Sequence, residues 1–286
     1  MEICYEYDGS FAGFLTCVFT SFAEHEFPFS IISSRNESPG LFSCRYIATN
    51  FSYAQRVYGK LKKIAPRAAY LVSRGFLCDL PQREICLLNL IRFILQEGSA
   101  ALTSLTAPAV YPVWTAVRHL EKECQLLRGF IRFSEFDGML AGEIQPKNHV
   151  LPILCNHFCQ RFQNEQFLLY DRTHHEALFY AKGHHQISHL EEFHMAAAST
   201  EEIQYRQMWR KFYDTIAIAQ RYNPKCRQTH MPKRYWACMT EFQREDFFTP
   251  HPAENGAVYL SPDVPAEKSE PVIPAVCGPS VPASIP

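Results

Sequence analysis

Apolar positions recur along the chain with two periods. Residues 3–7 (ICYEY) carry the apolar, β-prone composition of a short strand. Asp8-Gly9-Ser10 follows as a turn that also offers an N-cap to a helix over residues 11–23. The same order of strand, cap and helix returns over 43–63, with Asn50 as cap and Lys62 and Lys63 suiting the negative end of the helix dipole. Residues 83–96 are apolar nearly all round, at Ile85, Leu87, Leu88, Leu90, Ile91, Ile94 and Leu95, and predict a buried central helix ended by Gly98. Pro108 opens another helix over 109–127, closed by Gly129. The period then changes, and 130–135 with 139–144 read as a β-hairpin around Asp137-Gly138. Residues 151–162 read as helix, 167–171 and 177–180 as a strand pair, and 200–222 as the strongest helix. In the last, Met208, Trp209, Phe212, Ile216 and Ala219 recur at helical spacing and are expected to face a core.

This mixed order predicts an α+β fold with a helix-rich C-terminal part rather than a regular βαβ winding. No internal repeat is visible. A single domain is expected over 1–249, with 1–128 and 129–249 as subdomains should it divide. From residue 250 onward, nine prolines in 37 residues lie among small and acidic side chains, so 250–286 reads as a disordered tail, a solvated extension rather than a recruiting motif.

Composition narrows the setting. No apolar run approaches the roughly 18 residues that span a bilayer. The first residues carry Glu2, Glu6 and Asp8 where a secretory signal places positive charge. The eleven cysteines are scattered singly apart from Cys155 and Cys159. That pattern predicts reduced, mostly buried thiols in a cytoplasmic protein, with no membrane association. The formal charge of −1 hides an asymmetry: residues 203–236 carry eight cationic side chains against Asp214 alone, a net of +7.

Catalytic signatures are mostly absent. Gly9 and Gly13 lack the spacing and the Lys-Ser/Thr pair of a phosphate loop. His175-Glu176 begins like a zinc-protease helix, but Phe179 stands where the second histidine belongs. Cys155 and Cys159 share a helix face at i, i+4 with His157 on the opposite side, and two ligands do not make a structural zinc site. These thiols therefore read as packing groups, and neither a metal nor a cofactor is assigned. His174, His175, His184, His185, His189 and His194 form a denser cluster, with His185 and His189 at helical i, i+4 spacing, and read as a solvated loop or as adventitious metal affinity.

The basic segment is more informative. Arg206, Arg210, Arg221, Lys225, Arg227, Lys233 and Arg234 would neutralise phosphates, while Tyr235 and Trp236 would stack on bases. Asn223-Pro224 and Met231-Pro232 break the backbone twice and set a rigid basic elbow. Arg132 on the predicted hairpin extends the set. The opposing reading has the arginines merely solvate a helix whose other face packs. A second hypothesis makes the chain a nucleic-acid-processing enzyme acting on a damaged base or backbone, with His157, Arg161 and Asp171 as acid/base and electrostatic groups that must converge in one pocket. A third makes it an interaction scaffold without DNA binding, because Tyr, Trp and Arg are also interface anchors.

Five ordered blocks carry a family resemblance: Tyr7-Asp8-Gly9-Ser10-Phe11, LRGFIRF ending at Phe133, HFCQRF from His157 to Phe162, LLYDR from Leu168 to Arg172, and NPKCRQTHMPKRYW from Asn223 to Trp236. Over roughly residues 1–242 the chain resembles the uncharacterised bacterial family known as probable DNA metabolism proteins. The resemblance implies DNA as a partner, together with a radical-SAM iron–sulfur protein, beside which family members are encoded; a similar domain occurs fused to uracil-DNA-glycosylase-like proteins. It supplies no catalytic residue. The chain departs from the family at His174-His175-Glu176 and in its proline-rich tail. No Cys-x-x-x-Cys-x-x-Cys cluster is present, since Phe162 stands where the third cysteine belongs, so radical chemistry is expected of the partner.

Overall fold

In a computed structural model of the chain, described over residues 3–34, 43–136, 138–195, 197–218 and 221–243, the elements form two compact units. The first comprises residues 1–123 with 147–149, the second 124–146 with 150–286. The predicted tail lies outside the described residues.

The first unit opens with β1 (Cys4–Tyr7), α1 (Phe11–Ala23) and β2 (Ser30–Ser33), and continues through β3 (Cys44–Tyr46) and α2 (Phe51–Ile64). The three strands form a parallel sheet in the order β2-β1-β3. Ser10 caps α1 by accepting the Gly13 N–H, and Asn50 caps α2 by accepting from Ser52 and Tyr53, as their side-chain chemistry predicts. Cys4 and Cys44 pair directly across β1 and β3 and are joined by a disulfide. The expectation of reduced thiols therefore fails here, because parallel pairing brings two cysteines 40 residues apart into register. Two helices follow, α3 (Pro66–Gly75), not anticipated from the sequence, and α4 (Arg83–Glu97), and then α5 (Tyr111–Phe130), which begins in this unit and ends in the second. Leu87, Leu90, Ile91 and Ile94 of α4 are buried, as expected of a central helix. Together with the 3₁₀ segment that follows it from Gly98, α4 makes a helical stretch, Arg83–Thr103, that is by length and composition long enough to cross a membrane, a test that apolar core helices also pass.

In the second unit, β4 (Ser134–Phe136), β5 (Met139–Ile144), β6 (Gln166–Asp171), β7 (Glu176–Ala181) and β8 (His184–His189) form a sheet in sequence order. The first strand of the hairpin is shorter than predicted: α5 runs on through Gly129 to Phe130, and residues 131–133 join neither helix nor strand. Gly138, at φ +79°, turns β4 into β5. The crossover α6 (Leu151–Arg161) makes β5 and β6 parallel, whereas β6, β7 and β8 are antiparallel neighbours. Lys182 and Gly183, both at positive φ, form the two-residue turn into β8. Alternation assigns the faces. Phe167, Leu169, Leu178, Tyr180, His185 and His189 share one, while Leu168, Tyr170, Ala177 and Phe179 share the other, against which Leu190 and Phe193 pack. The architecture is α+β. The chain then ends in α7 (Thr200–Thr215), α8 (Pro224–His230) and two 3₁₀ turns, Lys233–Cys238 and Thr240–Phe242.

Candidate nucleic-acid interface

The cationic residues of the C-terminal segment divide into those that build the second unit and those that face solvent. Ser199 caps α7 through the Glu202 N–H. Glu202 accepts from Arg206 at 2.8 Å, and Arg206 donates onward to Ser134 Oγ at 2.8 Å, which docks the helix on β4. Arg210 donates to the Thr240 carbonyl. Arg132 forms a two-pronged pair with Glu241, at 3.2 and 2.7 Å, and lies over the Trp209 ring, whose Nε1 donates to the same carboxylate. The Glu241 side chain is 1% exposed. Arg132, Arg206 and Arg210 therefore spend their donors on holding α7, and their charge is largely committed inside the protein. Tyr235 is 3% exposed, packs on Phe130 and interacts with Arg234, so its ring is a core group and cannot stack on a base.

The remaining residues form an array of exposed cations around a half-buried ladder of Arg227, Trp236 and Phe242. Asn223 caps α8 by accepting the Cys226 N–H, with Pro224 in the first turn where a missing donor costs nothing. Arg227 lies among three rings, 5.6 Å from Tyr222, 5.1 Å from Trp236 and 5.6 Å from Phe242. Trp236 stacks on Phe242 at 4.4 Å and 12°, and its Nε1 donates to the Met231 carbonyl, so the ladder is held rigidly. Around it Arg221, Lys225, Lys233 and Arg234 are exposed, and Tyr222 is 68% exposed.

The apolar stripe of α7 corrects the sequence reading. Met208, Phe212 and Ile216 are 64%, 52% and 59% exposed, and Tyr205 joins them at 63%, so this face does not pack into a core. The helix is anchored by its charged residues instead, and it ends at Thr215 rather than near 222. Ala219 lies outside the described residues.

The three acid/base candidates occupy different surroundings. His157 on α6 sits edge-on to Phe158, with Nε2 buried and without a hydrogen-bond partner among the described residues. Burial and the nearby Arg128 and Arg161 guanidiniums push its pKa down, which holds the ring neutral. Arg161 lies over the Phe162 ring. Asp171, fully buried at the end of β6, accepts from the Thr173 and His174 amides and from His174 Nδ1 at 2.6 Å. Its imidazole partner is thus His174, three residues on, not His157. The sequence carried a signal for this pairing: an Asp that ends a strand before a tight turn folds its carboxylate over the amides two and three residues on. The Cys155 and Cys159 sulfurs are 3.7 Å apart on α6.

Residues 81–241, more than half of the chain, match the family model described as a domain of unknown function, DUF4130. No curated protein matches the chain.

Proposed function

The chain belongs to the DUF4130 family, and from that premise we propose that it is a DNA-binding accessory protein of DNA repair or modification that works in the cytoplasm beside a radical-SAM iron–sulfur partner. The observation that carries the reading is the ladder of Tyr222, Arg227, Trp236 and Phe242, ringed by exposed Arg221, Lys225, Lys233 and Arg234. Cations at the rim meet phosphates, and the exposed Tyr222 ring, beside the Arg227 guanidinium, offers a base a flat surface to stack on. The family resemblance supports the choice of DNA and of the partner.

The test is a salt titration of single- and double-stranded DNA binding by the full chain, beside a Lys225→Glu/Lys233→Glu double variant. Affinity should fall steeply with salt, and the variant should flatten the slope by about two phosphate contacts, at roughly 0.9 log units per contact. Binding that is absent at low salt, or a slope unchanged by the variant, would exclude this surface.

A second reading, docking of a protein partner without DNA, draws support from the exposed apolar face of α7 at Tyr205, Met208, Phe212 and Ile216. Co-purification with the radical-SAM protein that survives high salt, and that Met208→Asp/Phe212→Asp abolishes, would favour it, because apolar contacts outlast screened ones.

A further inference from the structure

A pair of cysteines and one histidine, insufficient apart, meet in the second unit. Cys155 and Cys159 are one turn apart on α6 and share a face. His185 lies on β8, paired in register with Tyr180 of β7, and α6 crosses over these two strands. In the sequence, the four-residue spacing of His185 and His189 suggests a helix; in a strand the same even spacing keeps both on one face, here the face toward α6. The outcome is a cluster in which the two sulfurs and an imidazole nitrogen all lie within 4.8 Å of one another.

We propose that Cys155, Cys159 and His185 form a zinc site with one coordination position open to solvent. The ligand chemistry fits, since two thiolates and one imidazole are a soft, nitrogen- and sulfur-rich set. The geometry fits as well. Tetrahedral zinc with Zn–S bonds of about 2.3 Å requires its sulfurs to stand about 3.8 Å apart, and they stand 3.7 Å apart. That separation is too long for a disulfide. His185 is exposed on β8, the edge strand of the sheet, with its imidazole within 4.8 Å of both sulfurs. Cys155 is buried, Cys159 half-buried and His185 exposed, so the ligand set is closed toward the core and open outward. A three-ligand set with an outward opening leaves the fourth position to water or to a ligand, unlike the closed four-ligand sets of structural zinc. This inference is independent of the proposed DNA function.

The experiment uses the reduced, metal-stripped full chain, titrated with Zn²⁺ against a chromophoric chelator and with Co²⁺ for thiolate-to-cobalt charge-transfer absorption. One equivalent should bind, with the absorption expected of two thiolates. His185→Ala, at an exposed position, and Cys159→Ser should each weaken binding by more than the roughly 100-fold lost with a merely supporting group. Cys226→Ser, which removes the Cys226–His230 pair of α8, and His189→Ala should leave affinity unchanged. Four results would overturn the assignment: no zinc bound, affinity retained in His185→Ala, loss in Cys226→Ser instead, or cobalt bound without thiolate absorption. His185→Ala carries the test even if Cys159→Ser fails to fold.

Discussion

Gly13 shows how one absent methyl group sets the opening of the fold. Asp8 accepts from the Ser10 amide and hydroxyl and, through its other oxygen, from Thr49 Oγ at 2.7 Å, which ties the start of α1 to the segment before α2. A Cβ at position 13 would stand 2.3 Å from the Asp8 carboxylate and 2.8 Å from that Thr49 oxygen, and neither can move without losing the other. Gly13→Ala should therefore destabilise the chain by about 2 kcal/mol, read as a lower denaturant midpoint at unchanged slope. His157 gives a second prediction. Its folded pKa is pushed below the ordinary 6.5, so its contribution is complete above that pH, where both folded and unfolded forms are neutral, and is lost as pH falls toward the depressed value, where only the unfolded ring takes up a proton readily. His157→Phe should flatten this acid loss of stability from about pH 6.5 downward while changing neutral stability by about 1 kcal/mol or less. Unfolding curves of both proteins over that pH range provide the check.

Among the elements, α7 is held by ionic and polar anchors more than by its apolar stripe. Glu241→Ala would leave Arg132 and the Trp209 indole without their shared acceptor, and should cost about 2 kcal/mol after allowance for the partial exposure of Arg132. Chemical denaturation followed by tryptophan fluorescence would register both the loss and the release of Trp209. The sequence foretold α1, α2 and α4 well, because each has a local cap or an unbroken apolar run. It did not foretell β8, whose HHQISH has no apolar alternation and which owes its strand state to the Lys182-Gly183 turn and to pairing with β7. The stripe of α7 misled for a related reason: helical spacing of apolar residues reports a face, and says nothing of whether anything covers it.

Across the whole molecule, the candidate sites were legible in proportion to how local they are. The basic elbow was visible because its two proline breaks and its charges are contiguous, yet which cations face solvent depended on Glu202 and Glu241, acceptors that no charge count singles out. The meeting of Cys155 and Cys159 with His185 depended on strand register, which composition does not encode. The Cys4–Cys44 bond has a consequence for biosynthesis. It turns residues 4–44 into a covalent ring that encloses α1 and β2. A chain emerging from the ribosome N-terminus first has β1 and β2 in hand before β3 exists, so the ring closes only after β3 has docked beside β1. In an oxidising medium, its closure marks completion of the parallel sheet, and electrophoresis without reductant would separate the faster-running ring from chains whose third strand has not yet arrived.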